Sequence, residues 1–186
     1  AGALDLLRTA VLPKLVGMRI ASPTDIAPLL APWRGNRMAK AVAEMAVWDL
    51  WARSLDLPLC ALLGGVRDRI EVGVSLGIAP LDVTLDRIAG AQAQGYRRIK
   101  LKIKQGHDLA LLAGVRDQFS DIKLTVDANT DYGLTDLATL RKMDAFGLDY
   151  IEQPLAFDDI LDHVQVQAAL QTAICLDESI RTAKDA

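Results

Sequence analysis

Arg98-Ile99-Lys100-Leu101-Lys102-Ile103-Lys104 alternates charged and aliphatic residues. That period marks a β-strand with two unlike faces. Side chains two apart on a strand share a face, so Lys100 and Lys102 point the same way. Three apolar runs follow, each ending in an acid: Leu124-Thr125-Val126-Asp127, Leu148-Asp149-Tyr150-Ile151-Glu152 and Ile174-Cys175-Leu176-Asp177. Lys102, Asp127, Glu152 and Asp177 fall at equal intervals of 25 residues. A strand, a loop and a helix fit in each interval. The spacing predicts repeated βα units with a functional residue at the C-terminal end of each strand.

The chain has 186 residues, 51% of them hydrophobic, enough for one large domain or two small ones with a sizeable core. The net charge is −3 and both signs are spread along the chain, so no basic stripe points to nucleic acid. No apolar run approaches the roughly 20 residues that span a bilayer. The first residues carry an acid and a base and no signal-peptide apolar region. A cytoplasmic protein without a membrane partner is expected. Cys60 and Cys175 lie far apart in apolar segments and read as two buried free thiols in a reducing compartment.

Residues 2–16 predict a helix with Leu4, Leu7, Val11 and Leu15 on one face, interrupted by Pro13. Ser22-Pro23 starts a second, with Asp25 in its first turn. Residues 36–55 predict the strongest helix, capped by Asn36. It is apolar on most sides, which predicts burial between other elements, with Glu44 and Asp49 paired or at its rim. Trp33, Trp48 and Trp51 read as core packing. Residues 59–63 with Gly64-Gly65 predict a short helix and turn. Beyond Arg69 the pattern changes. Strands are predicted over 70–76, 98–103, 123–128, 148–152 and 173–177, with helices over 82–94, 108–118, 135–144 and 158–170. Asp108 caps the second of these helices. Ser179 and Thr182 lead into a further helix that the chain is not expected to complete. His107 and His163 fall at helix starts or on polar faces.

Strands joined by helices are parallel with right-handed crossovers. Two architectures compete. A doubly wound sheet concentrates its ligand at one switch point. A (β/α) barrel carries functional residues at successive strand ends, and takes about 250 residues when complete. The even spacing favours the barrel. The expected fold is α/β: residues 67–186 form the first five strands of a TIM-like barrel, and residues 1–66 a helical domain before it.

Asp127, Glu152 and Asp177 at one rim would repel each other strongly unless a divalent cation relieved the repulsion. Oxygen-only ligation points to Mg2+, with Mn2+ possible, and away from zinc. Lys102 beside the metal is then a candidate general base. Lys100 and the cation would both disfavour its positive charge and pull its pKa down. Other readings exist. The lysines can protect a sheet edge, and each acid alone can cap a helix. Asn129 suits either a turn or a substrate contact. Ser75 suits either the pocket or a plain strand end. Glu178 should face away from the barrel axis.

At these residues the sequence resembles the enolase superfamily, in its muconate-lactonizing-enzyme subgroup. Lys100-Leu101-Lys102 resembles the family's Lys-x-Lys motif. Asp127-Ala128-Asn129, Glu152-Gln153-Pro154 and Asp177-Glu178-Ser179 resemble its metal-ligand strand ends. Arg34 to Ala39, Glu44 to Trp51, Gly73 to Gly77, Arg97 to Lys104 and Cys175 to Ser179 are closer still to the N-acylamino acid (N-succinylamino acid) racemases and o-succinylbenzoate synthases. The resemblance implies a (β/α)7β barrel under an α+β capping domain, of which residues 1–66 are the helical part. It implies Lys102 as base, Lys100 as its electrostatic partner, Asp127, Glu152 and Asp177 as Mg2+ ligands, and Asn129 and Ser75 as substrate contacts. The implied chemistry removes the α-proton of a small-molecule carboxylate substrate to a metal-stabilised enediolate. Its outcome is racemisation, or dehydration in menaquinone biosynthesis. A dipeptide epimerase, a muconate cycloisomerase or a non-catalytic half-barrel are the alternatives. The family's β-rich N-terminal segment and its second catalytic lysine are missing. The chain is therefore expected to be an internal fragment, inactive alone and homo-oligomeric only at full length.

Overall fold

The computed structural model describes residues 2–186. Two units divide between Arg69 and Ile70.

In the first unit, α1 (Gly2–Leu6) runs through a π-helical turn, Leu7–Val11, into α2 (Leu12–Leu15). The wide turn falls just ahead of Pro13, which lacks an N–H and whose ring crowds the carbonyl four residues back. Ser22 and Asp25 form a reciprocal cap: the Asp25 carboxylate accepts from Ser22 N–H at 2.9 Å, and Ser22 Oγ accepts from Thr24 N–H at 3.3 Å. That turn opens α3 (Ile26–Leu30), followed by α4 (Arg37–Ser54) and α5 (Leu59–Leu62). The small core is Val11, Ile26, Leu30 and Ala43, with Leu7 and Trp33 packed against it.

Several sequence expectations fail here. Helix α4 is not enclosed: Ala39, Ala43 and Ala52 are buried, while Met38, Val42, Met45 and Leu50 are exposed. So few neighbouring elements cover only one side of an 18-residue helix. Asn36 does not cap it. It adopts a left-handed φ of 49°, and its amide donates to the Arg34 carbonyl at 3.0 Å. Asp49 pairs with Arg53 at 2.8 Å. Cys60 is exposed rather than buried, and both cysteines are free thiols.

The second unit runs β1 (Gly73–Leu76), α6 (Leu81–Ala93), β2 (Arg98–Lys102), α7 (Leu109–Gln118), β3 (Lys123–Asp127), α8 (Leu137–Met143), β4 (Tyr150–Glu152), α9 (Ile160–Ala169) and β5 (Ala173–Cys175). All five strands are parallel and stand in sequential order β1-β2-β3-β4-β5. A doubly wound sheet needs a reversal of order, and none occurs here. With right-handed crossovers this order puts every helix on one face. Accordingly Ile88, Leu112, Val115, Leu140, Met143 and Val166 of the helices share one core with Ile99, Leu101, Leu124, Val126 and Ile151 of the strands. The opposite face carries Lys100, Lys102, Asp127 and Glu152, which is how a barrel wall divides its residues.

Strand β1 starts at Gly73 because its ladder begins with the pair Gly73↔Arg98. Strand β5 ends at Cys175, two residues short of the sequence expectation. No helix follows it. The Asp185 carboxylate accepts from Arg181 N–H at 2.9 Å and Thr182 N–H at 2.7 Å, closing a turn instead. His163 is also not on a polar face. It is buried on α9, with Nδ1 bonded to the Asp159 carbonyl and Nε2 accepting from Leu155 N–H at 3.3 Å. No described helix is long and apolar enough to cross a membrane.

Two polar devices hold the helices to the sheet. Arg116 donates to the carbonyls of Phe146 at 2.6 Å, Gly147 at 2.8 Å and Ile122 at 2.9 Å, tying the entries to β3 and β4. Asp108 caps α7 by accepting from Leu109 N–H at 2.6 Å. Its other oxygen accepts from the buried Tyr132 hydroxyl at 2.6 Å. Burial first, and then the Asp108 charge, push the Tyr132 phenol well above its ordinary range. Replacing Tyr132 by Phe leaves a buried carboxylate short of a donor. The variant should lose about 1.5–3 kcal/mol, the worth of a hydrogen bond to a charged group, read as a lower urea midpoint.

Candidate active site

Register builds the site. Lys102 pairs with Asp127, Asp127 with Glu152 and Glu152 with Cys175, so one row crosses four strands at their C-terminal ends. Lys100 lies one row below, opposite Thr125 and Ser75. The long lysine stem carries its ammonium up to the acids. Lys100 Nζ lies 2.7 Å from Glu152 Oε1 and 3.0 Å from Asp127 Oδ2. Lys102 Nζ lies 2.6 Å from the same Asp127 oxygen and donates to Asn129 Oδ1. Asp127 Oδ1 accepts from Asn129 N–H at 3.0 Å. The Asp127 side chain is 1% exposed, while the lysines are 27% and 32% exposed, so solvent reaches the ammonium groups and not the aspartate.

These contacts set the charges. Burial favours the neutral form of Asp127, but Lys102, Lys100 and the Asn129 N–H outweigh it and hold the acid below the usual carboxylate range. Burial pushes the Glu152 acid up; Lys100 opposes this, and the neighbouring Asp127 charge adds to it. For Lys100, burial works against the charge, but bonds to Glu152 and Asp127 overcome it and hold the ammonium above an ordinary lysine. Lys100 is thus a fixed cation across the neutral range. Cys175, the row's last member, has its thiol pushed up by burial and then by the Glu152 charge.

Two acids depart from the expectation. Asp177 lies two residues beyond the end of β5, and its side chain is exposed. Among the described residues, no three His, Cys, Asp or Glu side chains form a metal-binding group. The equal sequence spacing fails at this step, because Cys175 and not Asp177 is in register with Glu152. Glu178 turns inward instead of away. Its Oε1 accepts from Asn129 Nδ2 at 3.0 Å, and its Oε2 is buried without a partner. Asn129 therefore bridges Lys102 and Glu178. Ser75 is exposed, in register with Lys100. Gln153 is the site residue to which the sequence reading gave no role, and Glu178 the one it turned the wrong way. Their only signal was their place beside the expected acids.

Among the described residues the acids are not gathered as a metal-binding group, but their donor chemistry is the kind a hard cation takes. The two ammonium groups lie on Asp127 and Glu152, one buried Glu178 oxygen lacks a partner, and these acids with Asp177 offer only oxygen. Beside Lys102 lies a hollow of about 510 Å³, lined by Ile78, Lys102, Ile103, Lys104, Ala128, Asn129 and Asp131. Two larger hollows, of about 680 and 670 Å³, lie at the other end of the strands around residues 120–123, remote from Lys100 and Lys102.

Residues 84–186 match the family described as "Enolase C-terminal domain-like". Residues 3–64 match "Mandelate racemase / muconate lactonizing enzyme, N-terminal domain". The chain is 52% identical to an N-succinylamino acid racemase of Thermus thermophilus, over 100% of this chain and 51% of the racemase. It is 45% identical to an o-succinylbenzoate synthase of Bacillus subtilis, over 98% of this chain and 49% of the synthase. It therefore spans about half the length of the curated relatives it matches. Among solved structures, a substrate-liganded complex of the L-Ala-D/L-Glu epimerase from Bacillus subtilis superposes with a TM-score of 0.90 at 29% identity, over 98% of this chain and 53% of that one.

Lys100→Met removes the ammonium shared by Asp127 and Glu152. With EDTA present, the variant should be less stable by about 2–3 kcal/mol at pH 7, below the range for a fully buried pair because 27% of the lysine side chain is exposed. The depressed Asp127 contributes above its unfolded pKa of about 3.9, and that contribution is lost as pH falls through its folded value. The raised Lys100 contributes below its unfolded pKa of about 10.4, and that is lost as pH rises through its folded value. The difference between the two proteins should be widest between those limits and narrow only as pH falls below the unfolded Asp127 value toward its folded one, measured by denaturant unfolding.

Proposed function

The chain belongs to the mandelate racemase/muconate lactonizing enzyme group of the enolase superfamily, and from that premise we propose that the full-length protein removes the proton α to a carboxylate, as an N-succinylamino acid racemase, an o-succinylbenzoate synthase or both. One observation carries this reading. Lys102 Nζ is held between Asp127 and Asn129, at a strand end bordering a hollow, with Lys100 as a separate cation beneath it.

The two lysines divide the work. Lys100 stays protonated and neutralises the buried acids. Lys102 takes the substrate proton at Nζ. In its neutral form the amine still donates to Asn129 Oδ1, which keeps its lone pair aimed rather than free to rotate. Asn129 is oriented in turn by Glu178 and by its own N–H on Asp127. We assign Asp127, Glu152 and Asp177 as the residues that hold Mg2+, or Mn2+ in its place. A cation held there would supply positive charge where negative charge develops on the substrate carboxylate. The hollow beside Lys102 takes the substrate, with Asn129 as its polar contact and Ser75 lower on the same face.

The helical unit up to Arg69 is read as part of a capping domain, consistent with the match over residues 3–64. A cytoplasmic homo-oligomer, serving menaquinone biosynthesis if it is a synthase, is the setting this reading implies. Dipeptide epimerisation stands as the second reading, favoured by the structural likeness to the epimerase.

The full-length protein should exchange the α-proton of an N-succinyl amino acid in D2O with Mg2+ present and stop when EDTA is added, followed by proton NMR. Lys102→Ala should slow exchange by about 10²–10⁴-fold, the usual worth of a positioned base. Exchange surviving in that variant on both enantiomers would show that Lys102 is not the base.

A further inference from the structure

Gln153 is wholly buried, and its backbone is left-handed at φ 37°. Two backbone bonds hold it there: its N–H donates to the Cys175 carbonyl at 2.8 Å, and its carbonyl accepts from Thr130 N–H at 2.9 Å. The side-chain amide is equally engaged. Oε1 accepts from Asp177 N–H at 2.9 Å and from Ser179 N–H at 3.2 Å. Nε2 donates to Ser179 Oγ at 2.7 Å and to the Leu155 carbonyl at 3.2 Å. All four bonding capacities of the amide are used. A flipped amide would set its NH2 against two N–H donors, so only one orientation is possible.

From these contacts we propose that Gln153 is the positioning residue of the site, fixing residues 177–179 so that Asp177 and Glu178 stand at the rim. The proposal rests on the metal-site reading above. Strand pairing stops at Cys175, so the sheet no longer holds the backbone that carries these acids. A single buried oxygen takes over, pinning the N–H groups on either side of Glu178. With its neighbours pinned, Glu178 reaches Asn129, and Asn129 reaches Lys102. Gln153 touches none of the reacting groups. It acts on the base through Glu178 and Asn129, and would act on a bound cation through Asp177, whose N–H it holds. In the low-dielectric interior, moving this segment would orphan several buried groups at once, which is what makes the placement firm.

The test is Mg2+ affinity by calorimetry on the full-length protein, set beside thermal stability in EDTA. Gln153→Met keeps the bulk and removes the four bonds. It should bind Mg2+ roughly 10–100-fold more weakly, the usual cost of losing a residue that orients metal ligands. Leu140→Ala, a core change on α8, should lower stability and leave Mg2+ affinity within about twofold, since it touches no ligand or supporting group. Ser179→Ala removes one hydroxyl from the same clamp and should weaken Mg2+ binding less than Gln153→Met; it carries the test if Gln153→Met fails to fold. Unchanged Mg2+ affinity in Gln153→Met, or in Ser179→Ala where that variant stands in, overturns the proposal. Asp127→Asn separates the two readings. If it abolishes Mg2+ binding while the clamp variants keep it, only the positioning role falls. If it too binds Mg2+ normally, the metal site is misplaced and the positioning role falls with it.

Discussion

Asp127 is a carboxylate almost sealed from water on the face of a parallel sheet, with Glu152 beside it in register. Two acids so placed cannot both stay ionised without countercharge. Two lysines supply it from the neighbouring strand, and only because strand periodicity points both at the acids. The same alternation turns Ile99 and Leu101 into the helix-covered core. Core and charge cluster are thus two faces of one pattern, and a slip of one residue in β2 would exchange them.

That dependence explains what could be read in advance. Lys100, Lys102, Asp127 and Glu152 lie within paired strands, where a period of two fixes each side chain's face, and they form one linked cluster that Asp177 does not join. Beyond a strand end the rule no longer applies. Asp177 and Glu178 sit past Cys175, in a segment held by a side-chain amide rather than a ladder. Alternation put Asp177 inside and Glu178 outside, and the structure has Glu178 on Asn129. Helix α4 shows a different limit. Its composition measured how apolar it is, not how many elements surround it. Asn36 suited a cap by residue type, but a left-handed backbone sends its amide back to Arg34.

The rim is also where backbone strain collects. Asn129 at φ 43°, Thr130 at φ 69° and Gln153 at φ 37° follow the ends of β3 and β4, and none is a glycine. A β-branched residue such as Thr130 rarely adopts that region, and each such position costs of order 1–3 kcal/mol. Each is offset locally. Thr130 N–H donates to the Gln153 carbonyl, Asn129 N–H to Asp127, and Gln153 N–H to the Cys175 carbonyl. Glycine would relieve the strain but would remove the Asn129 and Gln153 side chains on which Lys102 and the segment after β5 depend. The strain is therefore the cost of turning a strand sharply into a loop while keeping a hydrogen-bonding side chain at the turn. Three adjacent strand ends share hydrogen bonds to meet it, so the geometry at Lys102 depends on contacts made as far along the chain as Ser179.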